Sequence, residues 1–460
     1  MKKEITITCS GGTLSPTGAN FLVQGFEKNF LVDCGLLQGS KMAEESNWKP
    51  FSYDPKQVDV LFVTHAHLDH IGLIPKLIFD GFSGKIVSTH ATKDIAKVML
   101  EDTASILANS ESGKPFHLEE MYSPKILHKL FSLWETVDYH EKYQVCKDLS
   151  VEAFDAGHVL GSSMFVFEYK QQKFVFTGDL GNSPSPLLKD TEKLPDDIEY
   201  MLIESVYGDR NHESKEGRRG ILKSVLLQNY HRGGVLMVPI FSLERTQEFL
   251  YEFNELIESG EVPTIPVFLD SPLAIKVTQI FKKYTHLLKD TVQKDIMEGD
   301  NIFKFPGLKE TETAQESKSI VRKPNPKVIL AGAGMSTGGR IVHHEKEYLS
   351  DKNNTLLITG FQTPGSLGRM IEEGAKTILL GEQTIPVRAH IEAVKGYSGH
   401  KDSDGLVQFV SDSSKKLKKV FVAMGEMKSS LFLAQRIKEE LGVSSLVPQP
   451  GEVIKISLND

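Results

Sequence analysis

Cysteine is scarce: Cys9, Cys34 and Cys146 are the only three in 460 residues. Odd in number, far apart and without a CxxC pair, they exclude a disulfide framework and fit a reducing compartment. No apolar run approaches the roughly 18 residues that a membrane span requires. A secretory signal is missing as well, because Met1-Lys2-Lys3-Glu4 leads straight into an alternating, strand-like stretch from Ile5 to Thr8. The expected location is therefore cytoplasmic, with no membrane partner. Positive charge is also short, with 53 Lys and Arg against 61 Asp and Glu, a net −8. That excludes a molecule-wide basic footprint for nucleic acid but not a local basic cleft. Aromatics make up 8% of the chain, and no ladder of them for base stacking can be read.

What is present is an ordinary globular composition, 40% apolar and 25% charged, long enough for two or three domains. The first two hundred residues read as short strands with glycine turns. Phe21–Gly25 and Phe30–Asp33 form an expected hairpin, Val58–Thr64 a buried strand, and Ile71–Phe79 a helix. Helical spacing covers Ala91–Leu107 and Glu119–Leu133. From about Tyr207 to Ile385 strands and helices alternate, which predicts a parallel sheet with helices on its faces. Within that stretch, Thr311–Lys318 reads as a loop or surface excursion. The chain then returns through a strand at Val387–Val394, a helix from Asp402, a strand at Lys419–Ala423 and a helix from Ser430.

Histidine is unevenly placed. His65-Ala66-His67-Leu68-Asp69-His70 directly follows the Val58–Thr64 strand. A loop at a strand's carboxyl end aims several side chains into one crevice, and imidazoles with a carboxylate suit a borderline cation such as zinc. Two later turns repeat the arrangement, Gly157-His158 after Val151–Phe154 and Gly178-Asp179 after a strand ending at Phe176. Each alone is weak, and the repetition gives them weight. Asp33, ending Phe30–Val32, is a fourth instance and reads as a carboxylate that orients a metal-bound histidine.

These motifs resemble the metallo-β-lactamase fold. Ile203-Glu204-Ser205-Val206-Tyr207-Gly208-Asp209-Arg210 resembles the motif that opens a β-CASP insertion, and Tyr397-Ser398-Gly399-His400 the Ser-Ala-His motif that follows it. Leu269–Ala274, Gly332–Arg340, and Gly360-Phe361-Gln362 leading to Leu367-Gly368-Arg369 are similar to bacterial and archaeal RNA-processing members. Those members are relatives of the endonuclease subunit of the cleavage and polyadenylation machinery.

The resemblance implies an α/β architecture: an αββα sandwich in two parts, 1–207 and 385–460, with an inserted β-CASP domain at 208–384. It implies that His65, His67 and His158 hold one zinc, Asp69 and His70 a second, and Asp179 bridges both. The implied activity is hydrolysis of phosphodiester bonds in single-stranded RNA by metal-activated water, probed first as an endonuclease. Asp69 or Asp179 would steer the nucleophile's proton, and His400, held by Glu204, would protonate the leaving oxygen. Ser336, Thr337 and Arg340, with Arg369 and Arg245, are candidate contacts to phosphate, because a glycine- and hydroxyl-rich loop before a helix offers N–H donors.

One position departs from the pattern. Where the family carries a second-site histidine in a His-Gly-Glu turn, this chain reads Ala423-Met424-Gly425-Glu426. A thioether suits copper(I) rather than zinc(II), so the second site is expected to bind more weakly, with manganese as an alternative. Met424 keeps two other readings open, a DNA-directed nuclease of the same fold and a metal-impaired, non-catalytic processing partner. The oligomeric state is open too, a homodimer included.

Overall fold

The computed structural model describes residues 2–39, 41–108, 117–212, 217–360, 362, 365–394, 397–413 and 415–459. Phe361 lies outside them. The chain divides into two compact units, Met1–Asn211 with Gly399–Asp460, and His212–Ser398.

The first unit holds two seven-stranded sheets. One runs, in spatial order, through Val453–Asn459, Lys2–Gly11, Asn20–Gln24, Phe30–Val32, Val60–Phe62, Lys85–Thr89 and Trp134–Val137. The other runs through Ser444–Leu446, Lys419–Val422, Ile198–Ile203, Gln172–Phe176, Ser163–Tyr169, Leu149–Asp155 and Lys142–Cys146. Alternation decides how they meet. Ile5, Ile7 and Cys9 turn inward while Glu4 and Thr6 turn away, as a period of two requires. Their common core is rich in phenylalanine. Phe30 stacks on Phe167 at 4.6 Å, and Phe62 meets Phe167 edge-on at 5.2 Å.

Leu406, Phe409, Leu433 and Ile437 of the helices Ser403–Ser413 and Met427–Leu441 cover the outer face of the second sheet. The helix His90–Ala108 borders the first sheet beside Lys85–Thr89 and Trp134–Val137. This is the αββα layering that the family resemblance implies.

The second unit is built on six parallel strands in the order Leu308–Glu310, Val267–Leu269, Lys327–Ala331, Val235–Pro239, Thr355–Ile358 and His390–Ala393. Lys327–Ala331 and Val235–Pro239 are buried throughout, as befits central strands of a parallel sheet covered on both faces. An antiparallel pair, Thr377–Leu380 with Gln383–Pro386, lies apart from it.

Three expectations shift. The reading returned the chain to the first unit at 385, but His390–Ala393 pairs with Thr355–Ile358 on the second unit's sheet, so the return falls at 399. Thr311–Lys318, read as a loop or surface excursion, leads into the surface helix Ala314–Ser319, started by a capping box between Thr313 and Glu316. The helix expected over Glu119–Leu133 is two, Leu118–Met121 and Pro124–Ser132. Pro124 has no N–H to continue the first, and Ser123 caps the second.

Candidate metal centre

Three turns at strand ends make the site, and glycines let them touch. A Cβ on Gly178 would stand 2.7 Å from Cβ of Thr64, and one on Gly181 only 1.8 Å from the Gly157 carbonyl oxygen. A Cβ on Gly35 would fall 1.5 Å from the carbonyl oxygen of Asp69. Backbone therefore lies on backbone here, and only glycine permits it. The strand Val60–Phe62 delivers Thr64 to His67, and His67 precedes the short helix Leu68–Ile71, which carries Asp69 and His70.

The donor atoms converge as two overlapping groups, His65, His67, His158 and Asp179, and Asp69, His70 and Asp179, with a third, Asp179, Glu204 and His400, beside them. His65 Nε2 stands 3.1 Å from His67 Nδ1, and His158 Nε2 stands 3.3 Å from the same atom. Asp179 Oδ2 is 3.5 Å from His65 Nε2, 3.6 Å from His158 Nε2 and 3.5 Å from His70 Nε2. Nitrogens held by zinc at about 2.0–2.1 Å in a tetrahedron stand roughly 3.3 Å apart, so these spacings match the edges of such a shell.

Neighbours set which nitrogen faces inward. Asp33 takes the Thr64 N–H at 2.8 Å, the Thr64 hydroxyl at 2.8 Å and the His70 Nδ1–H at 2.7 Å. With its own proton given to Asp33, Thr64 Oγ1 accepts from His65 Nδ1 at 3.1 Å. The Gly399 carbonyl accepts from His158 Nδ1 at 3.0 Å. Each bond leaves Nε2 turned to the shared centre. His70 Nε2 and Asp179 Oδ1 are buried with no hydrogen-bond partner, a costly state that a cation between them relieves. The residues fit a metal.

The electrostatics agree. Burial, then the neighbouring His70, holds His65 well below the usual imidazole range, and burial, then His400, does the same to His158. Neutral imidazole is the form that ligates. Burial opposes charge on Asp179, yet His70 and His65 keep it ionised, well below the usual carboxylate range. Burial raises Asp69 to about 6 despite His70.

Beside this centre, His400 Nδ1 lies 3.2 Å from Glu204 Oε1, and Glu204 also accepts the Leu180 N–H at 2.7 Å. The backbone of His400 bridges to Gly181, and Lys401 N–H donates to the Leu180 carbonyl at 2.9 Å. These bonds fasten His400 to the turn that carries Asp179. Burial works against an imidazolium, but Glu204, Asp179 and Asp69 push His400 up to about 9.

Met424 is buried among Ala19 and Phe21 in the core between the sheets, with its N–H on the Gly12 carbonyl at 2.7 Å. The candidate phosphate contacts lie elsewhere, in the second unit. Thr337 is exposed. Ser336, expected on a phosphate, is buried, and its hydroxyl donates to Glu345. Arg340 donates to Asp270 Oδ1 at 2.7 Å and to the carbonyls of Thr311 at 2.9 Å and Glu312 at 2.7 Å. Arg245 pairs with Glu248 at 3.0 Å, and Arg369 with Glu373 at 2.7 Å. Sequence reading passed over Asp270, which also takes hydrogen bonds from Thr311, Ser317 and His344. Its signal was an acid directly after a strand, the same one that marked Asp33.

A four-layer αββα unit with this donor set at its strand ends defines a metal-dependent hydrolase of the metallo-β-lactamase type. Family comparisons match a metallo-β-lactamase superfamily domain over residues 22–196, a Beta-Casp domain over 246–371, and a Zn-dependent metallo-hydrolase RNA specificity domain over 384–448. The chain is 35% identical to Ribonuclease TTHA0252 of Thermus thermophilus, over 87% of this chain and 89% of that protein. It is 30% identical to an RNase J-like protein of Methanocaldococcus jannaschii (93% and 94%) and 29% identical to transcription termination factor FttA of Methanosarcina mazei (96% and 70%). A crystal structure of an Enterococcus faecalis V583 protein of unknown function shares the fold, with a TM-score of 0.54 at 13% identity, covering 98% of this chain and 100% of that one. The chain belongs to the β-CASP family of metallo-β-lactamase-fold nucleases.

Proposed function

We propose that this chain is a zinc-dependent ribonuclease that hydrolyses phosphodiester bonds of single-stranded RNA, cutting within the strand. The observation that carries the reading is the convergence of His65, His67, His158, Asp179, Asp69 and His70 beside the Glu204–His400 pair. The names of the relatives and the RNA specificity match support RNA as substrate. His65, His67, His158 and Asp179 would hold the first cation; Asp69, His70 and the shared Asp179 would hold the second. Cations bound there would supply an acidified water and neutralise charge on the phosphate.

The chain's own residues do the rest. Asp33, Thr64 and the Gly399 carbonyl fix the imidazoles so that no reorganisation is needed when substrate arrives. Asp69 and Asp179 steer the proton of the attacking water. His400, oriented by Glu204, protonates the leaving oxygen. With Met424 in the core, the second position has three protein donors, so it binds more weakly than the first and accepts manganese.

The test is cleavage of end-labelled single-stranded RNA and DNA together with metal stoichiometry. RNA should be cut internally, and the His67→Ala variant should neither cut nor hold the first metal. Equal cutting by that variant would trace the activity to contamination. Preference for DNA would reassign the substrate.

A further inference from the structure

Among the described residues, two aromatics of the second unit are exposed, Tyr230 on the helix Arg218–Arg232 and Phe241 beyond a central strand. Phe241 is 40% exposed and lies two residues beyond the central strand Val235–Pro239. It is held rigidly. Ile240 continues the sheet by donating to the Ala331 carbonyl at 3.0 Å, and the Phe241 carbonyl accepts from the Thr246 hydroxyl at 2.7 Å and N–H at 3.2 Å.

Gly334 backs the ring. A Cβ at that glycine would stand 2.6, 2.8 and 2.9 Å from Cδ2, Cε2 and Cγ of Phe241. Near-equal distances to three consecutive ring atoms put Gly334 over the face of the ring, not at its edge. One face of Phe241 is thus backed by the Gly334 backbone, while 40% of the residue stays exposed.

The location is one where parallel sheets bind ligands. Val235–Pro239 and Thr355–Ile358 are neighbours, but the chain leaves the first toward Val267–Leu269 on one side and the second toward His390–Ala393 on the other. Ligands sit outside the carboxyl ends of strands at such a reversal. The surroundings are rich in glycine and low in side-chain bulk as well. Next to a Cβ at Gly332 only the Ile240 carbonyl and Ser242 Oγ come within 4 Å, both at 3.8 Å, and Gly338 and Gly360 would meet nothing. A sugar–phosphate chain can come close to backbone there.

We propose that Phe241 is a stacking platform for one nucleobase of single-stranded RNA. The proposal rests on the ribonuclease reading and names how that substrate is held. A rigid aromatic face next to open backbone suits an unstacked base, because every base presents a π-face and single strands leave theirs available. A buried aromatic would only fill the core. An aliphatic side chain there would offer no flat face.

The experiment measures binding of fluorescently labelled single-stranded RNA with phosphorothioate linkages, which resist cutting, to the full metal-loaded chain. Phe241→Ala should weaken binding roughly 5- to 100-fold, the range for loss of one stacked base. Phe241→Trp should keep the affinity, and its indole fluorescence should be quenched by RNA, which confirms a folded, occupied platform. RNAs carrying a single abasic nucleotide at successive positions complete a double-mutant cycle. One abasic position should weaken wild-type binding yet cost Phe241→Ala nothing further. Equal binding by wild type and Phe241→Ala, or an abasic penalty identical in both, overturns the platform while leaving the ribonuclease reading intact. Failure of the wild type to bind RNA at all overturns both.

Discussion

At the scale of single residues, the most consequential position is Met424. It adopts a left-handed conformation (φ 48°), which histidine enters more readily than most side chains. Met424→His should therefore be tolerated and should raise metal content toward two per chain, measured by elemental analysis after dialysis. Unchanged content would mean that the three donors at the second position already saturate it. Asp33 offers a second probe, since its carboxylate bonds His70 and Thr64 and touches no other ligand in either group. Asp33→Asn should weaken metal binding about 10- to 100-fold, read by competition with a chromogenic chelator. His400→Ala should lower kcat about 10²- to 10⁴-fold with metal content unchanged. Loss of metal in that variant would make His400 a ligand instead of an acid. The ligand types were legible in the sequence because each follows an apolar strand. Their tautomers were not, because Thr64, Asp33 and Gly399 act through space.

At the scale of elements, the site depends on how closely its turns approach. The segment Cys34–Leu36 lies along 68–70, with Cys34 N–H on the His70 carbonyl at 2.8 Å and Leu36 N–H on the Leu68 carbonyl at 2.9 Å. Gly35→Ala would drive a methyl group into the Asp69 carbonyl, so Asp69 and His70 must move. The expected result is loss of the second metal while the first, on His65, His67 and His158, persists. Sequential release seen during chelator titration would check this, and simultaneous release would count against it. Most elements were visible as periodicity. The capping box at Thr313 and Glu316 was legible too, by its T-x-x-E spacing, but was masked by the polar composition around it. The strand His390–Ala393 was seen, yet its sheet was not, since pairing partners are chosen by tertiary contact.

At the scale of the whole molecule, each unit has its own core, and the second has its own electrostatic centre. Burial alone would raise Asp270, but hydrogen bonds from His344, Ser317, Thr311 and Arg340 bring it down to about 2. Asp270 follows the strand Val267–Leu269, and its partners come from the end of Leu308–Glu310 (Thr311), from the helix Ala314–Ser319 (Ser317), and from the helix Ile341–Tyr348 with its N-cap (His344, Arg340), so Asp270 ties these elements together at the carboxyl end of its strand. A carboxylate depressed in the folded state stabilises it above the unfolded value near 4, and that contribution is lost as pH falls toward 2. Thermal midpoints should therefore drop between about pH 4 and pH 2, by the equivalent of about 2 kcal/mol. Asp270→Asn should lower the midpoint at pH 7 and flatten its decline in that acid window. An unaltered acid decline would place the sensitivity in other carboxylates.

The αββα class was implied by the family resemblance; the sequence by itself pointed to the inserted parallel unit and the candidate metal-ligating residues. These follow from local pattern: two- and 3.6-residue periods, glycine turns, and histidines placed directly after apolar strands. Tertiary structure alone decided which nitrogens face the centre, where the chain re-enters the first unit, and that Arg340 and Ser336 are engaged inside the fold. It also decided that Gly334 backs one face of Phe241 while the residue stays 40% exposed. The physical reason is shared by most of these: they depend on groups far apart in the chain, such as His158 and Gly399 or Arg340 and Asp270, whose approach is set by packing and not by local preference.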